Sequence, residues 1–505
     1  MSFPIRIHFF CWGTLLPIIL SVHELAGQMR GLGLEFNDSA YLQVPQLPVY
    51  NSGKADELPL KVDLTPFCPE PGNQGAIASC VGWACGYSAL TTMLARQKNI
   101  TDRAVIARMA MSALFVYNQI KRLDCMEGAK LDNGMSFLKT TGDIVAADFD
   151  TDLEDCQKTP DEDQLKRATA CRMRDFVRLF APDASWREKT FKVKQSLAAG
   201  NPVVIGMEIT EGFLTLSEGQ SYWDTNELPT PVGGHAMVVV GYNEAKKAFH
   251  ILNSWGNTWG KNGFCWVKYE DFGKFCKYAY QGVLDNPEIP TGKIALQGSF
   301  AFQTPEFTSE DSLFFQPAKV VEKGQYYETE KTDWEVGQYY QLLVSGMPGD
   351  RYVYVFTIDP LKKAQIHFPE AGKVVAKSAM APELELPSKR SDLIPAANAE
   401  LVIPEPRINS DGSLDHQGLV KAHPGADYLC ILYSNQRIES QELEKRIRNI
   451  LLDESATDIV RQIEAAFQDI LIPWSDIQYE KSNMRFTAES DKGFAVPVIL
   501  RISGR

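Results

Sequence analysis

A thiol, an imidazole and two carboxamides stand out in this chain by their settings. Cys80 ends the Gly-rich stretch Pro71-Gly72-Asn73-Gln74-Gly75-Ala76-Ile77-Ala78-Ser79-Cys80 and opens a run of small residues with helical spacing. A thiol at a helix start meets unpaired backbone N–H groups and the positive end of the helix dipole, which favour thiolate over thiol. Ser79 precedes it, and Gln74 lies six residues upstream, where its amide could join the Cys80 N–H in holding a developing oxyanion. His235 follows Gly233 and Gly234 and precedes Ala236 and an apolar strand pattern, so bare backbone lets another lobe approach the ring. Imidazole has the proton affinity needed to take a thiol proton and return it to a leaving amine. Asn253 heads Asn253-Ser254-Trp255-Gly256; its carboxamide could fix the imidazole tautomer while Trp255 shields that bond from water. Taken singly, each has a plainer reading: a structural cysteine, a core histidine, a loop glutamine.

These groups need two kinds of element. Ser79 to Arg96, Ala104 to Lys121 and Gly134 to Thr141 read as helices, whereas Pro202 to Met207, Ala236 to Tyr242 and Ala248 to Leu252 are short β-rich runs bounded by Gly, Asn and Pro. Helices first and strands second read as an α+β domain of two lobes. Its bounds are drawn at residues 61–285, with a leader at 28–60 that extends across it and a linker near 286–292. Beyond lies a separate β-rich domain, 286–505. Its strands are expected at Tyr339 to Val344, Tyr352 to Ile358, Tyr428 to Tyr433 and Phe494 to Ile502, with a helical pair at Glu439 to Leu452 and Asp458 to Leu471. Residues 372–404 read as a long loop.

Gln74, Cys80, His235 and Asn253-Ser254-Trp255-Gly256, in that order, resemble the papain family of cysteine peptidases. The likeness covers about residues 61–284, and the imidazole and amide follow the thiol by 155 and 173 positions. It implies a helical lobe facing a β-barrel-like lobe, with Cys80, His235, Asn253 and Gln74 as the catalytic set and Trp255 and Ser79 in support. It also implies hydrolysis of peptide bonds through a Cys80 thioester, with protein or peptide substrates and no cofactor or metal. Ala236, Gly234 and Gly134 are the substrate-wall candidates. Departures are Val81 where relatives have an aromatic, with Trp83 displaced by two, and Ile77 where they have a cysteine, which removes one familiar disulfide. For the pocket-lining segment the nearest matches are Cys125-Met126-Glu127-Gly128 and Asp132-Asn133-Gly134. The competing readings are a papain-fold binding protein without catalysis and an amidase or transpeptidase of cell-wall peptides, which would use the same thioester. Trp334 to Tyr339 through Phe368-Pro369, with Tyr428 to Ser434, resembles a domain of unknown function on secreted bacterial peptidases and kinases. It implies a bacterial source and no chemistry, although its aromatic strands could bind substrate or a surface.

Composition narrows the rest. A formal charge of -13 argues against nucleic acid as a partner. Residues 1–27 have an export signal's layout, with an apolar run too short to span a bilayer comfortably, so the expected product is secreted and not membrane-inserted. Setting aside Cys11 in that signal and Cys80 leaves eight cysteines, which export permits to pair. Spacing leaves the pairing open, and Cys85 and Cys430 sit in apolar patterns that suit buried free thiols.

Overall fold

The computed structural model describes residues 30–50, 58–149, 152–153, 155–225, 230–285, 293–307, 313–346, 348–378, 381–394, 399–409, 411–452 and 458–505. The export signal, Cys11 and the 286–292 linker lie outside them.

The Gly-rich loop feeds a continuous helical stretch formed by Cys80–Gly82, the π-helical Trp83–Leu90 and Thr91–Gln97. Small residues let it run through the centre of its lobe. A Cβ on Gly82 would stand 2.2 Å from the Ala113 carbonyl oxygen, so the helix Ala113–Ile120 packs on it backbone to backbone. Leu131–Thr140 closes the same lobe.

The facing lobe is a seven-stranded antiparallel sheet. Its order is Asp175–Arg178, Cys276–Val283, Val203–Thr210, Pro231–Asn243, Ala248–Leu252 and Phe264–Lys268, with Lys61–Asp63 on Pro231–Asn243. Pairing of Met207 with His235 fixes the register that carries the imidazole to the lobe boundary. The helix Trp186–Ala198 packs on this sheet, capped by Ser185 through the Glu188 N–H.

After the linker come two further seven-stranded sheets. One is built around Arg351–Ile358, Asp427–Ser434 and Ala495–Ile502, the other around Ile294–Phe307, Tyr339–Ser345 and Met484–Ser490. The helices Ser440–Leu452 and Ile459–Phe467 cover the first, where Ile447, Ile463 and Phe467 meet Tyr354, Phe356 and Leu432. The expected strands and helical pair are present, but 372–404 is not a long loop. Ala371–Ser378 pairs with Ala381–Lys389, and Leu393–Ile394 and Leu401–Ile403 join the sheets. Its Ala, Lys, Glu and Pro content hid the two-residue alternation Glu383-Leu384-Glu385-Leu386, on the strand whose Leu386 pairs with Val374.

The C-terminal region packs against the lobes that precede it. One continuous buried cluster runs from the sheet of the facing lobe into Phe300, Leu342 and Val498. At the boundary Arg437 reaches Asp175 at 2.7 Å and Asp392 at 2.9 Å. Arg174 donates to the carbonyls of Asp350 and Asn435.

Candidate active site

Every member of the expected set lies at the boundary of the two lobes, and all are buried. Cys80, His235, Gln74 and Ser79 have no exposed surface, Asn253 has 1% and Trp255 3%. Cys80 is the first residue of its helix, with Ser79 as cap.

The imidazole tautomer follows from the hydrogen bonds. Asn253 Oδ1 accepts from the Ser254 N–H at 2.8 Å, which fixes that atom as the oxygen. His235 Nε2 lies 2.8 Å from the same oxygen, so Nε2 carries the proton. In a neutral ring Nδ1 is then a bare acceptor, and it is buried without a hydrogen-bond partner. The neighbouring Ala236 backbone lies against the Cys80 sulfur, placing the His235 segment beside that thiol. Trp255 stacks on the ring at 4.4 Å, and Phe213 packs on both. Asn253→Ala is expected to lower kcat/KM by roughly a hundredfold, the lower end of what acid–base positioning contributes, because stacking still holds the ring. Peptide-hydrolysis kinetics check this.

Gln74 is oriented by a residue that the sequence reading passed over. The Ser254 hydroxyl donates to Gln74 Oε1 at 2.7 Å, which turns Nε2 the other way. The Gln74 N–H is bound by the Ser254 carbonyl at 2.9 Å. Ser254 lies inside the Asn-Ser-Trp-Gly run, so its position was visible but not its job.

Gly134 does not line the cleft. It sits in the helix Leu131–Thr140, where a Cβ would meet Val81 at 2.9 Å and Cys85 at 3.0 Å, so its bare backbone serves helix packing. The wall comes instead from Gly128 and Ala129, beside the Cys125–Cys156 disulfide. Gly234 faces it from the opposite lobe. Cys85 and Cys430 are buried free thiols.

The cleft is not empty. Residues 30–36 of the leader run through it on five hydrogen bonds: Gly31 N–H to Gly75 O (3.0 Å), Gln74 Nε2 to Gly31 O (3.0 Å), Ala129 N–H to Gly33 O (2.8 Å), Leu34 N–H to Gly234 O (3.3 Å) and Glu35 N–H to Ala129 O (3.1 Å). Leu34 is 8% exposed, and its side chain fills the space beside Gly206 and Leu131. The Arg30 guanidinium lies over Trp255. The leader presents the Gly33 amide to the sulfur. Under this cover burial pushes the Cys80 thiol up to about 11, although backbone groups of Ala236, Gly33 and Val81 oppose the shift. Burial also pushes His235 down to about 4, against the Asn253 bond. At neutral pH the covered pair is therefore thiol and neutral imidazole.

Comparison with known proteins finds likenesses over the same part of the chain. Residues 71–284 match the model of the papain family cysteine protease. Over 209 residues the chain is 25% identical to an uncharacterized peptidase C1-like protein of Acanthamoeba polyphaga mimivirus, covering 39% of this chain and 64% of that one. Over 73 residues it is 37% identical to mouse pro-cathepsin H, covering 14% and 22%. The chain thus spans less than two thirds of the length of these curated relatives. Among solved structures, xylellain, a cysteine protease from Xylella fastidiosa, aligns with a TM-score of 0.39 and 24% identity, covering 50% of this chain and 98% of that one. Residues 71–284 are thus similar to the papain family of cysteine proteases.

Proposed function

We propose that this protein is a secreted cysteine peptidase that hydrolyses peptide bonds through a thioester on Cys80. One observation carries the reading: the Asn253-fixed tautomer leaves His235 Nδ1 as a bare acceptor on the segment that lies against the Cys80 sulfur. The Cys80 proton passes to Nδ1, and the sulfur lone pair attacks the substrate carbonyl carbon. The oxygen takes up the displaced electron pair, held by the Cys80 N–H and Gln74 Nε2. Collapse expels the amine, which receives the Nδ1 proton and leaves a thioester. Nδ1 then takes a proton from water, hydroxide adds to the thioester carbonyl, and sulfur departs. Gln74 Nε2 now donates to Gly31 O and to Ile77 O, so one of its N–H groups comes free when Gly31 withdraws.

Secretion is supported by the Cys125–Cys156 disulfide, which suits an oxidising compartment. The pocket that takes Leu34 suggests preference for a branched aliphatic side chain in substrates. Protein, short peptides bearing leucine and muropeptides, offered to chain whose cleft has been opened, separate the readings. Cleavage of the leucine peptides and protein is expected. Turnover of muropeptides alone would replace the peptidase reading with the cell-wall one.

A further inference from the structure

A cavity of about 790 Å³ lies where the facing lobe meets the C-terminal region, and none of the candidate active-site residues lines it. That volume suits a small organic molecule, and domain boundaries commonly hold such sites. Lys192 enters the cavity from the helix Trp186–Ala198 of the facing lobe, and Arg390 from the C-terminal region. Ile366, Pro369, Leu419 and Leu443 give it apolar walls.

Hydrogen-bond accounting leaves this cavity with donors to spare. Lys192 is 1% exposed, and an ammonium has three N–H bonds to satisfy. Its Nζ donates to the Leu47 carbonyl at 2.8 Å and to no other acceptor among the described residues. Glu405, the buried acid of the cavity, is already engaged: Oε2 accepts from the Val49 N–H at 3.0 Å, and Oε1 faces Arg390 Nε at 3.3 Å. The two Nη groups of Arg390 are then left without an acceptor among the described residues. Buried donors without acceptors are costly, and an anion is what satisfies them.

Charge points the same way. Burial pushes the Lys192 ammonium down to about 7; Arg390 and Arg178 act in the same direction, and Glu405 and Glu188 oppose them. A bound anion would favour the charged form. Glu188 is half-buried, while the other charged lining residues, Lys389, Arg407, Glu370 and Glu444, are exposed and served by water. A guanidinium fork beside an ammonium fits a carboxylate, and the apolar walls call for an organic body behind it.

We propose that this cavity is a second binding site, one for organic carboxylates, in which Lys192 and Arg390 hold the carboxylate and the apolar walls take the body. Because the two cations come from opposite sides of the domain boundary, an occupant ties the C-terminal region to the lobe that carries His235. A free organic acid and the C-terminal end of a peptide share this chemistry. The site is independent of hydrolysis at Cys80.

Isothermal titration calorimetry of the full chain at about pH 6, with 3-phenylpropanoate, its uncharged amide and inorganic phosphate, tests the site. The acid is expected to bind about tenfold or more tightly than either of the others. Lys192→Met, which keeps the side chain's length and removes its charge, is expected to weaken the acid by about tenfold or more. Gln365→Trp, at an exposed position lining the cavity, is expected to weaken it by filling the space while leaving both cations intact, and it serves if Lys192→Met fails to fold. An N-acetylated tripeptide ending in phenylalanine separates the sources: tighter binding than the free acid assigns the site to peptide termini, weaker binding to free acids. Acid and amide binding alike, phosphate matching the acid, an unchanged affinity for the acid in either folded variant, or no binding of the acid at millimolar concentration overturns the proposal.

Discussion

Replacing Cys80 by alanine is expected to lower kcat/KM on peptides by on the order of 10⁴-fold or more, with covalent labelling by an irreversible epoxide lost altogether. The size follows from the lack of a substitute. Gln74 and the Cys80 N–H would still stabilise an oxyanion, and His235 could still accept a proton, but nothing would form the thioester. The fold should survive, because alanine removes one sulfur atom and leaves the helix start in place, and the polar groups acting on that sulfur are backbone groups of Ala236, Gly33 and Val81. An unaltered thermal midpoint together with lost turnover supports the assignment. Hydrolysis at the original rate would remove Cys80 from its role.

Arg437→Ala should be the costliest of the simple surface-to-interior changes, lowering stability at neutral pH by about 3 kcal/mol or more. Arg437 is the cation between two nearly buried carboxylates, Asp175 with 6% and Asp392 with 12% of the side chain exposed. Lys139 would remain for Asp175 at 2.7 Å, and the Tyr354 hydroxyl for Asp392 at 2.9 Å. Neither reaches both acids. Arg437→Lys should recover little, because a point charge cannot replace a planar fork that binds two partners. Guanidinium denaturation checks this, and a loss below about 0.5 kcal/mol would mean that the interface is an ordinary surface ion pair.

The candidate constellation was legible because the chemistry proposed for it demands particular residue types in particular local settings. A helix-start thiol after a Gly-rich loop, an imidazole after two glycines and an amide before an indole are all local patterns. The strands at Tyr352 to Ile358 and Tyr428 to Tyr433 were legible for a similar reason, a dense run of β-branched and aromatic residues. What stayed hidden depends on long-range contact. The Cys125–Cys156 pairing could not be read from spacing, and Gly134 looked like a cleft residue because its helical neighbours Val81 and Cys85 are distant in sequence. The leader's role was concealed by its brevity. Its signal was the alternation Gly31-Leu32-Gly33-Leu34: bare positions where a backbone must pass close to Ile77 and Ala78, and an apolar side chain to fill the space beside Gly206. The 372–404 region failed for the opposite reason, since charged and proline residues masked a genuine hairpin.

The covering of Cys80 by Gly33 also bears on how the protein endures its surroundings. Peroxide attacks thiolate and needs a path to the sulfur. The closed molecule offers a sulfur with no exposed surface and an elevated proton affinity, so it is shielded both by access and by charge. Conditions oxidising enough to maintain the Cys125–Cys156 bridge can thus leave the Cys80 sulfur reduced for as long as Gly33 covers it.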